Sequence, residues 1–255
     1  MAVTIKSARE IELMRESCRI LSEVHDRLSE AIRPGISTYD IDALGEKLIR
    51  SYGCVPNFLN YNGYPASICV SVNDEVVHGI PKKERILQEG DIVSLDAGLI
   101  YKGYHSDAAR TYPVGQISEE ARQLIDVTRQ SFFEGIKFAK AGYHLYDISN
   151  AIDRYVSRFG YGIVRDLVGH GIGTHLHEDP QIPNFRQWRK GIKLQPGMTL
   201  AIEPMINLGG YGVEWLSDDW TVVTQDGSPS AHYENTVLIT EGEPEILTLP
   251  KDAKG

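Results

Sequence analysis

Five polar residues interrupt stretches that otherwise consist of strand-forming apolar side chains. Asp96 and Asp107 lie in DIVSLDAGLIYKGYHSDAAR (91–110), Glu203 in TLAIEPMI, Glu234 in HYENTVLI, and His170, flanked by glycines, in LVGHGIGTHLHE. If 91–110 folds as a hairpin, the midpoint between the aspartates falls between Tyr101 and Lys102. A two- or four-residue turn centred there sets them directly opposite each other, with Cβ atoms about 4.5–5.5 Å apart on one face. Like charges at that separation repel, and burial worsens the cost. Either one aspartate is protonated or a cation lies between them; the same pattern also suits two acids on a solvated outer face. Four carboxylates and one imidazole make a set of hard oxygen ligands with one nitrogen. That set suits divalent Mn, Fe, Co or Zn, and carboxylates can bridge two ions. A dinuclear centre of this kind serves hydrolysis.

The elements that must position these residues are legible from periodicity. Ser7 and Glu10 form a capping-box start, and Ile11, Met14, Cys18, Leu21, Val24 and Leu28 follow at helical spacing until Pro34-Gly35. A second helix is expected from Thr38 to Tyr52, a third from Ser118 to Ala141 and a fourth from Asp147 to Phe159. Strands are expected at 67–72, 91–100, 104–114, 198–206, 220–224 and 232–240. A repeat runs through this order. PGISTYDIDALGEKLIRSYG (34–53) aligns with AGYHLYDISNAIDRYVSRFG (141–160) at an offset of 107, and the same offset aligns LQEGDIVSLD (87–96) with LQPGMTLAIE (194–203). Asp96 then falls on Glu203. Two distant windows sharing one offset indicate an internal duplication, about 34–107 and 141–234, in which two α/β halves pack about a pseudo-twofold axis. Glu203 and Glu234 are 31 residues apart, against 11 for Asp96 and Asp107, so the second half carries an additional segment, expected as a hairpin closing a pocket.

Bulk properties narrow the class. The 255 residues suffice for a substantial core, and 35 acidic against 26 basic residues argue against a general nucleic-acid or anionic-membrane binder. No apolar signal core or membrane-length run occurs, which makes the cytoplasm the expected location. Cys18, Cys54 and Cys69 form no CxxC pair, so neither disulfides nor a cysteine zinc site is expected.

Taken together and in order, VNDEVVHGIP (72–81), SLDAG (94–98), HSDAART (105–111), GHGIGTHLHEDP (169–180), AIEPM (201–205) and HYENTV (232–237) resemble the motifs of type I methionine aminopeptidases, in the short bacterial form. The resemblance implies a pita-bread α/β fold, a pseudo-twofold curved antiparallel sheet with outer helices, forming a single catalytic domain over 1–255. By the family pattern two divalent ions are held by Asp96, Asp107, His170, Glu203 and Glu234, with Asp107 and Glu234 bridging. Glu203 matches the proton-shuttling base. His177 matches the residue that hydrogen-bonds the scissile carbonyl, and His78 the substrate-contacting histidine near the amide; from its own setting His78 reads equally as a loop cap. His25, His105, His144, His175 and His232 are expected to be structural.

FLNYNGYPASICV (58–70) alternates aromatics with glycine and ends in a strand, a pattern suited to an unbranched thioether. Phe58, Tyr61, Tyr64, Cys69 and Trp220 match the family's methionine pocket, although such aromatics also serve as ordinary core. The implied activity is removal of the initiator methionine from nascent proteins with a small second residue. The implied partners are nascent N-termini and, transiently, the ribosome, with the enzyme a monomer. Xaa-Pro aminopeptidases and prolidases use the same five ligands but carry a sizeable N-terminal domain, and here one helix precedes the duplicated unit. Only 32 residues lie between His170 and Glu203, too few for the inserted subdomain of the type II enzyme.

Overall fold

The computed structural model describes residues 3–249; residues 1–2 and 250–255 of the expected domain lie outside it. Helix α1 (Ala8–Ser29) begins at the expected capping box, with the Ser7 side chain accepting from the Glu10 N–H and Glu10 returning a carboxylate to the Ser7 N–H. Helix α2 (Thr38–Ser51) starts at Ser37, whose hydroxyl accepts from the Asp40 N–H. Helices α3 (Glu119–Ile136) and α4 (Leu145–Val156) complete the outer layer. Helix α3 stops five residues short of the expected Ala141. There the N–H groups of Phe138 and Ala139 bond three residues back, to Gly135 and Ile136, and the tightened turn leads into Gly142 at φ 93°.

The strands that carry the site are β1 (Ile68–Val72), β2 (Ile92–Tyr101), β3 (Tyr104–Pro113), β4 (Gly169–Gly171), β5 (Glu178–Ile182), β6 (Thr199–Ile202), β7 (Met205–Asn207), β8 (Ser230–His232) and β9 (Asn235–Leu238). All their pairings are antiparallel: β1–β2–β3 in one sheet, β9–β6–β4–β5 in another, and β7 with β8. The two larger sheets meet where Ala109 and Glu234 exchange backbone hydrogen bonds, 3.0 and 3.4 Å. The Thr236 hydroxyl both donates to the Asp107 carbonyl and accepts from the Asp107 N–H, at 2.9 and 3.1 Å.

Each half has its own apolar core. Ile20, Leu21, Val24 and Leu28 of α1 and Ile41 and Ile49 of α2 bury against Val93, Leu95 and Leu99 of β2. Leu124 and Phe132 of α3 and Ile148 and Ile152 of α4 bury against Leu200, Ile202 and Val237. Full burial of each such side chain contributes about 1.5–3 kcal/mol, which fixes the helices outside and the sheet inside. A third cluster, including Met14, Cys18, Phe58, Tyr64, Cys69, Ile172 and Leu176, lies between them.

Backbone details recur at the offset read from the sequence. Ser37 bridges to Ile86 and His144 to Lys193, each 107 residues on. The Leu87 N–H donates to Ile36 and the Leu194 N–H to Tyr143, both at 2.9 Å. Gly35 and Gly142 both lie at left-handed φ, 89° and 93°.

Two expectations about the strands are corrected. The hairpin turns at Lys102-Gly103, φ 49° and 86°, so Tyr101 pairs with Tyr104, Asp96 with Ala109, and Asp107 with Gly98. Asp96 and Asp107 are therefore diagonal neighbours on one face, not directly opposed. The left-handed two-residue turn matches strand twist and moves the centre by one residue, which shifts every pairing by two. Second, Glu203 and Glu234 do not sit inside continuous strands. The run 198–206 breaks into β6 and β7 at Glu203-Pro204, because proline has no N–H for the ladder. The run 232–240 breaks opposite it, where the Tyr233 N–H bonds the Pro204 carbonyl at 3.2 Å.

Candidate metal centre and substrate pocket

Asp96 and Asp107 leave the same face of the β2–β3 hairpin. The position across from Asp107 must be glycine, since a Cβ on Gly98 would stand 2.4 Å from Asn57 Nδ2 and 3.0 Å from Asp107 Oδ1. His170 extends from β4, which is glycine on both sides. Its Nδ1 donates to the Gly171 carbonyl at 2.8 Å, which leaves Nε2 as the free lone pair. That nitrogen faces Asp107 Oδ2 at 3.8 Å and Glu203 Oε1 at 3.7 Å. The breaks in the second-half strands turn Glu203 and Glu234 toward the same point. Asn184 Nδ2 fixes the Glu203 carbonyl at 3.0 Å, and Arg110 donates to the Glu234 carbonyl and to Asn235 Oδ1.

The electrostatics of this cluster are unfavourable for the bare protein. Burial holds the Asp96 carboxyl up at about 7. Burial pushes Asp107 well above the carboxylate range, reinforced by the charges of Asp96 and Glu203. Burial likewise raises Glu203 and Glu234, each beside other acids of the group. Burial lowers His170 to about 3, so the ring is neutral and able to act as a ligand. Asp96 Oδ1, Asp107 Oδ1 and Glu234 Oε1 are buried without a hydrogen-bond partner. Ligand-type atoms of Asp107, His170 and Glu234 all lie within 4.8 Å of one another. Orphaned carboxylate oxygens around a neutral imidazole are what a divalent cation satisfies, so these residues fit one.

All twelve residues singled out in the sequence line a single cavity of about 250 Å³. Asp96, Asp107, His170, Glu203 and Glu234 form one end. Phe58, Tyr64, Cys69 and Trp220 form an aromatic and sulfur wall, with Tyr64 edge-on to Trp220 at 5.1 Å and its hydroxyl tied to the Gly79 carbonyl at 2.9 Å. Trp220 arrives on the additional segment, where Val213–Trp215 pairs with Val222–Thr224 and the latter docks on Glu75–Val77. His78 holds a left-handed φ of 58°, a strained backbone for a non-glycine residue, beside a Gly79 whose Cβ would stand 2.4 Å from the Val70 carbonyl. Burial lowers His78 to about 4 and lowers His177 below its ordinary value. Tyr61 and His177 are joined by a 2.7 Å hydrogen bond at the rim.

The model of metallopeptidase family M24 matches residues 12–241. The chain belongs to metallopeptidase family M24. The methionine aminopeptidase of Clostridium acetobutylicum is 55% identical over 247 residues, 97% of this chain and 99% of that protein. The crystal structure of methionine aminopeptidase from Thermotoga maritima superposes with a TM-score of 0.95 at 44% identity, covering 98% of this chain and 100% of that one. An Xaa-Pro dipeptidase from Bacillus anthracis gives 0.77 at 26% identity, and this chain spans 63% of it. The pita-bread fold and the bacterial-type methionine aminopeptidase resemblance therefore hold, and divalent-metal use comes with this M24 membership.

Sequence reasoning missed His232. It is 1% exposed, and Nε2 lies 3.8 Å from Glu203 Oε2 and 4.0 Å from Glu234 Oε2. The sequence signal is its place two residues before Glu234, and the break at Tyr233 is what brings both side chains toward Glu203. Asn62, Leu167, Leu176 and Met205 also line the cavity without a distinguishing sequence mark.

Proposed function

We infer that this protein removes the N-terminal methionine from nascent peptides by metal-dependent hydrolysis. One observation carries the inference: a buried cluster of four acids and an imidazole closes one end of a cavity whose other wall is Phe58, Tyr64, Cys69 and Trp220. Aromatic rings and a thiol favour an unbranched thioether, and S–aromatic contacts contribute about 0.3–1.5 kcal/mol each.

Asp96, Asp107, His170, Glu203 and Glu234 would hold two divalent ions, drawn from Mn, Fe, Co or Zn. When bound, the ions supply Lewis acidity that polarises the scissile carbonyl and makes water nucleophilic at neutral pH. Glu203 accepts the proton of the attacking water and delivers it to the leaving amine. His177 donates a hydrogen bond to the carbonyl oxygen as negative charge builds there. His78, beside Trp220 at 6.2 Å between ring centroids, steadies the amide. The aromatic wall orients the methionine side chain, and limited room past the scissile bond favours a small second residue.

The repeated backbone details support one catalytic unit made of two related halves. The enzyme works as a cytoplasmic monomer that meets its substrates transiently at the ribosome. Among the described residues no helix is long and apolar enough to cross a membrane.

Purified protein supplied with Mn²⁺ or Co²⁺ and given peptides beginning Met-Ala, Met-Lys and Ala-Pro tests the reading. Methionine is expected from the first alone. Cleavage confined to Ala-Pro would replace it with the proline-specific activity of the prolidase-like neighbours.

A further inference from the structure

Tyr61 lines the cavity, yet its hydroxyl does not point into apolar space. It lies 2.7 Å from Nδ1 of His177, with the two rings tilted 54° and their centroids 5.4 Å apart. His177 also meets His170, ring centroids 4.3 Å apart and steeply tilted. The imidazole thus has two ring neighbours, only one of which bonds Nδ1. The backbone that presents Tyr61 is itself constrained. Asn60 and Asn62 both lie at left-handed φ, 66° and 49°, the Asn60 N–H bonds the Tyr64 carbonyl at 2.8 Å, and the Tyr64 N–H bonds the Tyr61 carbonyl at 3.0 Å. Asparagine tolerates this conformation better than most residues, so the turn places the tyrosine reproducibly.

We propose that Tyr61 is a positioning residue whose hydroxyl donates to His177 Nδ1, so that the ring carries its proton on Nε2 and presents that N–H to the substrate carbonyl. A neutral imidazole has one N–H and one bare nitrogen. If Nδ1 carried the proton, the tyrosine oxygen would accept it and Nε2 would turn a lone pair toward the developing oxyanion, which repels it. With the hydroxyl as donor, the ring is a fixed donor where charge accumulates, and nothing need reorganise during reaction. The proposal rests on the donor role assigned to His177 and gives Tyr61 a task different from packing against methionine.

A double-mutant cycle tests it with the metal-loaded enzyme and a Met-Ala peptide. Tyr61→Phe is expected to lower kcat about tenfold with KM within about twofold, because a misaligned donor costs transition-state and not ground-state binding. In Tyr61→Phe/His177→Ala, kcat should fall no further than in His177→Ala, since the hydroxyl acts through the imidazole. A raised KM with unchanged kcat, or a double variant losing the product of the two single effects, would overturn the proposal. Nitrogen-15 spectra of the His177 ring provide a readout independent of turnover. The Nδ1 resonance of a hydrogen-bonded acceptor should be present in the wild type and shift in Tyr61→Phe; identical spectra refute the bond. If the resonance shifts while His177→Ala keeps wild-type kcat, the donor role of His177 fails instead, and the two failures are told apart.

Discussion

The two halves of the molecule deliver their acids to one point by different means. In the first half Asp96 and Asp107 project from long, unbroken strands, and room for them comes from the missing side chain of Gly98. In the second half Glu203 and Glu234 stand at breaks, where Pro204 and Tyr233 interrupt the ladder and the longer glutamate side chains reach inward. The extra segment of that half brings Trp220 to the pocket, and nothing at the hairpin turn of the first half does so. A rigid hairpin beside a broken, elaborated counterpart suggests a division of labour. The first half supplies a rigid platform for two acids together with the wall residues Phe58, Tyr64 and Cys69, while the second supplies two acids, His170 and the remaining wall residue, Trp220.

The largest effect that could break this comparison is loss of a shared ligand. Asp107→Ala and Glu234→Ala should each lower kcat/KM by roughly a thousandfold or more and leave the purified protein depleted of metal by mass spectrometry. Either variant retaining full metal and activity would mean the halves do not share the ions. The metal-free fold should not suffer, because each change removes a buried acid that repels its neighbours.

Next in size is the platform itself. Gly98→Ala forces a Cβ against Asn57 Nδ2 and the Ser106 carbonyl, at 2.4 and 2.8 Å, and should destabilise the fold by about 1–3 kcal/mol in urea titration. Pro204→Ala, at the second-half break, should cost under about 1 kcal/mol, since a break tolerates change that a close-packed ladder does not.

Of similar size is a pH effect to which buried histidines of both halves contribute, and one site, His25, has no histidine counterpart in the other half. His25 is buried in the first-half core with Nε2 donating to the Ala108 carbonyl at 2.8 Å, and burial holds it down at about 3; 107 residues on stands Phe132. Between that value and the ordinary histidine pKa of about 6.5 the unfolded chain binds a proton that the folded one refuses. Stability from this site is therefore complete above pH 6.5 and falls as the solution is acidified, by about 2 kcal/mol at pH 5. His25→Gln, which keeps a donor, should lower the slope of that part of the stability–pH curve by the share of one histidine, whereas an unchanged slope would assign the effect to the other buried histidines.

The smallest contrast lies in the paired helix starts. Ser37 caps α2 through its side chain, whereas His144 makes no side-chain cap bond and relies on Asp147 returning to its N–H at 2.8 Å. Ser37→Ala should cost about 1 kcal/mol of stability and His144→Ala almost nothing, by thermal melts.

Much of this was legible in the sequence because it is local or repeated. The Ser7 capping box, the helix starts and the 107-residue offset are patterns of spacing, and the five chemistry-bearing residues stood out against apolar strands. The exact pairing of Asp96 with Asp107 was not legible, because register depends on which two residues turn, and Lys102 gives no hint that it adopts left-handed φ. Nor were the breaks beside Glu203 and Glu234, although Pro204 was in plain view. A run rich in strand formers outweighs one proline until the neighbouring strand is known. His232 escaped for a different reason. A lone histidine in an apolar strand is usually core, and only its distance to two acids in space distinguishes it.

The central claim is that both halves hold one dinuclear centre, and anomalous diffraction from crystals equilibrated with Mn²⁺ tests it most directly. The account predicts two strong peaks per chain inside the ring of Asp96, Asp107, His170, Glu203 and Glu234, with Asp107 and Glu234 touching both and neither peak surviving in Asp107→Ala. Peaks lying outside that ring, or peaks ligated by one half alone, would contradict it.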